Sequence, residues 1–270
     1  MKLSVFYDHI LQAKEQTGKS LDDLLTEVRN SGIEAVEINL EYLEKHPETI
    51  QLLNATDVKI SCIYGFYEMG ISDECDKIKR HIDTAAGVGA GKVLIVPGFL
   101  HGTAAEEMQK SMGSPVSVEQ WFSNNQAVLG MKQGLKESVL LGKEKGVVVT
   151  VEDFDDAHSP LSGMYGIKWF LKEVPGLKYT LDMGNYLFYG EDVLDAWELL
   201  KEEVAHVHCK DRHPENNTSV QTGSGRMPIK QLVESLMANG YDEYLAIEHF
   251  DVLDQEGCIK HSAQYLRKLI

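Results

Sequence analysis

Short apolar runs alternate with longer amphipathic stretches along the chain. The runs cover residues 3–7, 35–40, 59–64, 92–96, 147–151, 178–181, 205–208 and 244–247. Each is rich in Val, Ile or aromatic residues and stops at a polar or glycine position, as strands do. Several are apolar at consecutive rather than alternate positions. That pattern belongs to a parallel sheet buried on both faces. The stretches between them carry helix signals. Ser20 reads as an N-cap, Asp22 and Asp23 sit in the electropositive first turn, and Leu21, Leu24, Leu25 and Val28 share one face before Gly32. The same grammar returns at 73–90, 117–145, 161–174, 192–204, 228–239 and 256–269.

Eight strands, each followed by a helix, predict an α/β fold of the (β/α)8 TIM barrel type. A doubly wound open sheet is the rival, but no glycine-rich phosphate fingerprint follows the first strand. No Pro/Gly/Ser-rich linker divides the 270 residues, so one domain over 1–270 is expected. Two connections are long, 98–115 after the fourth strand and 211–227 after the seventh. Both leave carboxyl ends of strands, where barrel enzymes build their sites.

The later strands end in metal-ligand chemistry. The fifth runs into Glu152, the sixth into Asp182, the seventh into His208 and the eighth into Glu248. A carboxylate after several apolar residues is costly to bury unless it is paired or bound to a cation. Three carboxylates and an imidazole at one end of a barrel point to one shared divalent ion, with Mn, Mg, Co or Zn suited to mixed N/O ligands.

The segments Val151-Glu152-Asp153, Leu181-Asp182-Met183-Gly184-Asn185, His206-Val207-His208-Cys209-Lys210-Asp211 and Ile247-Glu248 resemble the xylose isomerase-like TIM barrels. That family includes sugar and sugar-phosphate isomerases and epimerases, inosose and dehydroshikimate dehydratases, and endonuclease IV-type repair enzymes. The resemblance implies a single-metal site at Glu152, Asp182, His208 and Glu248, with Glu152 and Glu248 as the acid/base pair. It departs from several relatives at Phe154 and Asn185, where they carry His, and at Gly223-Ser224-Gly225, where a Gly-Glu-Gly is common. The expected reaction is proton transfer beside the carbonyl of a sugar or sugar phosphate, by isomerisation or epimerisation. A dehydratase on an inosose- or dehydroshikimate-like substrate is the first alternative. Phosphodiester cleavage and non-catalytic sugar binding rank below it, because no histidine cluster ends strands two to four and binding alone does not require two metal-bound carboxylates.

The surrounding residues carry paired readings. Lys210 shares strand parity with His208 and either binds a substrate oxygen or pairs with the acidic site. His206 reads as a packed core histidine and Glu37 as a partner behind the ligands. Arg212 contacts substrate or pairs with Asp211. Asn185 binds a hydroxyl or caps a loop. Tyr7, Tyr64 and Phe66 form an apolar wall against a sugar or simply pack. His101 reaches the pocket or stays exposed in its loop. Thr222-Gly223-Ser224-Gly225-Arg226 cradles a phosphate through backbone N–H groups and Arg226, or forms a mobile lid.

Charge narrows the partners. With 42 acidic against 26 basic side chains the net charge is -16, which disfavours nucleic acid and anionic membranes. A small-molecule partner is expected, and a homo-oligomer is compatible with the sequence. The first residues lack the apolar core of a signal peptide, and no run reaches the ~18 apolar residues of a spanning helix. The cysteines at 62, 75, 209 and 258 form no C-x-x-C pair. They read as reduced thiols, so a cytoplasmic location is expected.

Overall fold

The computed structural model describes all of residues 1–270. Nine strands form: β1 (Lys2–Phe6), β2 (Ala35–Asn39), β3 (Lys59–Phe66), β4 (Lys92–Val96), β5 (Val148–Glu152), β6 (Lys178–Asp182), β7 (Val204–Arg212), β8 (Ser219–Val220) and β9 (Tyr244–Glu248). Their order in the sheet is β6-β5-β4-β3-β2-β1-β9-β7-β8, with β6 also pairing β7. Without the short β8, this is a closed eight-stranded barrel with intervening helices, as the alternating pattern predicted.

Two compact units make up the chain, Met1–Ile63 with His206–Ile270, and Tyr64–Ala205. In the first, β1 pairs β2 and β9 in parallel, and β7 pairs β9 in parallel. Their interior residues are buried because Leu3, Val5, Val36, Ile38, Leu245 and Ile247 cover both faces of the strands. Helices Tyr7–Thr17, Leu21–Asn30 and Gln255–Leu266 lie among the covering elements. Ser20 caps the second of these as expected, accepting the Asp23 N–H at 3.1 Å. In the second unit β4, β5 and β6 pair in parallel. It holds a buried aromatic cluster. Phe122 stacks edge-on against Trp169 at 5.2 Å and Phe170 at 6.0 Å.

Several boundaries differ from the sequence reading. The stretch 117–145 is two helices, Pro115–Phe122 and Gln126–Lys145. Asn125 restarts the chain by accepting the Val128 N–H at 3.1 Å, a cap that competes successfully with a continuous helix. The long connection 98–115 holds a helix of its own, Thr103–Ser111. Tyr7 opens a helix instead of ending β1. The seventh strand does not end at His208 but runs on to Arg212, because β8 adds an antiparallel pairing through Asp211 and Arg212. No helix is long and apolar enough to cross a membrane.

Candidate active site

In the unit that contains β2, β7 and β9, one buried carboxylate organises two histidines. Glu37 stands in β2 with no solvent exposure. Its Oε2 accepts from His206 Nε2 at 2.8 Å and His208 Nε2 at 3.2 Å. Alternation along β7 puts His206, His208 and Lys210 on one side, and all three are buried. Burial opposes charge on Glu37, yet His208 and His206 hold its carboxyl down to about 2. An ionised carboxylate only accepts, so each histidine donates through Nε2. His206 is therefore more than a packed core residue, and the partner role expected of Glu37 is met. Phe6 fixes the other ring direction, lying edge-on to His208 at 5.0 Å.

His208 Nδ1 then faces Glu248 Oε2 at 3.1 Å. That oxygen is buried without an aligned hydrogen bond. Two electron-rich atoms at this separation repel unless a cation or a proton lies between them. The donor set is thus suited to a divalent ion. Glu248 Oε1 is held by Lys210 Nζ at 2.6 Å, so Lys210 makes the ion pair foreseen as one of its two readings. Burial opposes ionisation of Glu248, but Lys210 and His208 hold it well below the usual carboxylate range.

In the other unit Glu152 and Asp182 are the last residues of β5 and β6, and both are buried. Asp182 Oδ1 accepts the Gly184 N–H at 2.7 Å. Asp153, given no role from sequence, accepts Tyr179 Oη at 2.6 Å and the Asp182 N–H at 2.9 Å. Burial and the neighbouring Asp182 push its carboxyl well above the usual range. Several carboxylates at one buried spot cannot all ionise without a counter-charge. Adjacency to a strand-terminal Glu was the only signal in the sequence that could have singled Asp153 out.

The remaining expected residues fall as follows. Asn185 is buried and donates to the Asp153 carbonyl at 2.7 Å. Tyr7 is buried against Tyr42, their rings 5.5 Å apart. His101 is exposed, near His158. Arg212 sends its guanidinium to Ser219 Oγ at 3.4 Å, and Asp211 receives its backbone N–H, not its side chain. Tyr64 and Phe66 join an aromatic row. Phe66 meets Tyr64 at 6.2 Å and Phe154 at 6.0 Å, and Phe99 meets Phe154 at 5.5 Å. Phe99 and Phe154 were not assigned to that wall from sequence.

The phosphate cradle expected at 222–226 is corrected. Asp211 Oδ2 accepts the N–H groups of Gly223 at 2.9 Å and Gly225 at 2.8 Å, and Oδ1 accepts those of Arg212 at 2.9 Å and Met227 at 3.0 Å. The backbone does form an anion nest, but the chain's own carboxylate fills it.

Comparison with known proteins places the chain. Residues 25–269 match the family model described as xylose isomerase-like TIM barrel. The chain belongs to the xylose isomerase-like TIM barrel family. Among its relatives, inosose dehydratase of Clostridium perfringens is 23% identical, over 94% of this chain and 88% of that protein. A crystal structure of D-allulose 3-epimerase from Methylomonas sp. in complex with D-allulose superposes with a TM-score of 0.74 at 10% identity, covering 100% and 97% of the two chains. The IOLI protein with a bound zinc atom does so with a TM-score of 0.73 at 17% identity, covering 100% and 98%. At these identities the structural likenesses establish the barrel fold.

Proposed function

We propose that this family member is a divalent-metal-dependent isomerase or epimerase of a sugar or sugar phosphate. The observation that carries the reading is the His208–Glu248 pair, a buried imidazole nitrogen and a buried carboxylate oxygen facing each other at 3.1 Å. Glu152, Asp182, His208 and Glu248 are the ligands we assign. Each is buried and offers a ligand atom, and each comes from the later half of the barrel's strand ends. A bound divalent ion supplies the positive charge that makes a C–H beside a carbonyl acidic enough for a carboxylate to deprotonate.

The side chains divide the remaining work. Glu152 and Glu248 act as base and acid, one removing a proton and the other returning it. Lys210 keeps Glu248 ionised and holds it in place through Oε1, leaving Oε2 for the reaction side. Glu37 fixes the His208 ring so that Nδ1, not Nε2, is available. Return of the proton to the opposite face gives epimerisation, and return to the neighbouring carbon gives aldose–ketose exchange. The substrate is a small polyhydroxy carbonyl compound handled in the cytoplasm.

A dehydratase is the second reading, favoured by the similarity to inosose dehydratase. It shares the first proton abstraction and then expels a β-hydroxyl. The test is uptake of solvent deuterium by ketoses, ketose phosphates and inososes with metal-supplemented protein, followed by product analysis. Retention of the wild-type exchange rate in Glu152→Gln and Glu248→Gln would refute the acid/base assignment.

A further inference from the structure

Glu248 stands where the sheet stops holding its strand. Pairing of β9 with β1 ends at Ile247, and pairing with β7 ends at Glu248 itself. The next backbone N–H, that of His249, is buried and needs an acceptor from outside the ladder. His9 supplies it. This residue of the helix Tyr7–Thr17 has no solvent exposure, and its Nε2 accepts the His249 N–H at 2.9 Å. Only an unprotonated ring nitrogen accepts, so a neutral His9 carries its proton on Nδ1. That Nδ1 is itself buried without a partner. An aliphatic side chain would fill the position and strand no polar atom. What the imidazole adds is the bond made by its other nitrogen.

The carbonyl of the same residue is held from the same helix. Gln255 Nε2 donates to the His249 carbonyl at 3.0 Å and also to Gln12 Oε1. His9 and Gln12 are three apart and share a helix face. That face therefore fixes both backbone groups of His249, one directly and one through Gln255. Lys210 grips the far end of the Glu248 side chain, but the place of its backbone is set here.

The His9 ring has packing contacts as well. It stacks on the His249 ring at 4.8 Å with 15° between the planes, and it lies 5.7 Å from Phe6. Packing and hydrogen bonding are thus two separable services of one side chain.

We propose that His9 is a positioning residue for the metal centre, and that it acts through its acceptor nitrogen. By taking the His249 N–H where the ladder ends, it fixes the backbone from which Glu248 projects. It touches neither metal nor substrate. The inference rests on the metal reading above and deepens it.

Two variants divide the two services. His9→Gln keeps an acceptor oxygen near the place of Nε2 and gives up the ring, whereas His9→Phe keeps a ring and gives up the acceptor. Zinc or manganese affinity is measured by competition with a chromophoric chelator. Amide hydrogen exchange at His249 is followed in metal-free protein. The wild-type amide should be protected, and His9→Phe should speed its exchange by roughly tenfold or more. His9→Phe should also bind the ion roughly fivefold or more weakly, because metal binding must then order a buried N–H that lacks an acceptor. His9→Gln should stay within about twofold of wild type.

A packing role predicts the reverse order, with Phe tolerated and Gln not, and that order overturns the inference. So does a wild-type His249 amide that exchanges as fast as an exposed loop amide. If His9→Phe does not fold, His9→Leu replaces it, and the wild-type exchange decides without any variant. A wild type that binds no divalent ion overturns the metal reading, and the role given to His9 falls with it. A wild type that binds the ion no better than a folded His9→Phe protein overturns the role of His9 alone.

Discussion

Replacing Glu37 by Gln isolates what lies behind the metal ligands. The substitution preserves size and one acceptor oxygen but removes the charge. In the native protein one carboxylate oxygen takes both His206 Nε2 at 2.8 Å and His208 Nε2 at 3.2 Å, with no solvent exposure. A hydrogen bond to a charged group contributes about 1.5–3 kcal/mol and a neutral one about 1 kcal/mol. Each bond should therefore lose about 1 kcal/mol. The half of that loss borne by His208 bears on metal binding, because the Glu37 bond selects the tautomer and ring orientation that present Nδ1. A decrease of roughly fivefold in metal affinity follows, near the lower end of what removing a group that orients a ligand from behind costs. The assay is competition for zinc or manganese against a chromophoric chelator, with circular dichroism confirming the fold. An affinity within about twofold of wild type, in a folded Glu37→Gln protein whose Glu152→Gln counterpart binds weakly, would refute the reasoning.

Three further outcomes are expected. Gly225→Ala should lose about 1–3 kcal/mol in urea unfolding, because the added methyl meets the Asp211 carboxylate and the Arg212 carbonyl; an unchanged midpoint would show that the loop relaxes freely. Phe122→Ala should lose about 3–5 kcal/mol by removing a fully buried ring packed on Trp169 and Phe170. A loss under about 1 kcal/mol would mean that the cavity collapses. Lys19, followed by Lys260, holds the Glu27 carboxyl at about 2, below an unfolded value of about 4.3. The sign follows: its stabilisation is present above the unfolded value and disappears as pH falls through the folded one. Glu27→Gln should therefore be modestly less stable than wild type near neutrality and equal to it in strong acid, with salt shrinking the difference. A difference that persists in acid would exclude the ion pairs as its cause.

The barrel was legible because its signal is local and repeated. Runs such as 93–96 are apolar at every position, the pattern of a strand covered on both faces. The break at Ser123-Asn124-Asn125 was not legible, since the hydrophobic spacing continues across it and only the Asn125 cap stops the helix. His208 was identified as a ligand-type residue, but the strand was ended there too early. Its extension depends on β8, two residues from a connection with little strand character.

By itself, the sequence determined that eight strand–helix units exist and that Glu, Asp, His and Glu stand at four successive later strands. Those are matters of residue type and period, which a linear reading preserves. Tertiary structure decided that Glu37, 169 positions away from His206, selects the histidine tautomer, and that Asp211 occupies the nest read as a phosphate site. The reason is physical. A glycine-spaced loop states that backbone N–H groups will converge on a negative charge, but which charge arrives depends on the fold bringing a partner there first.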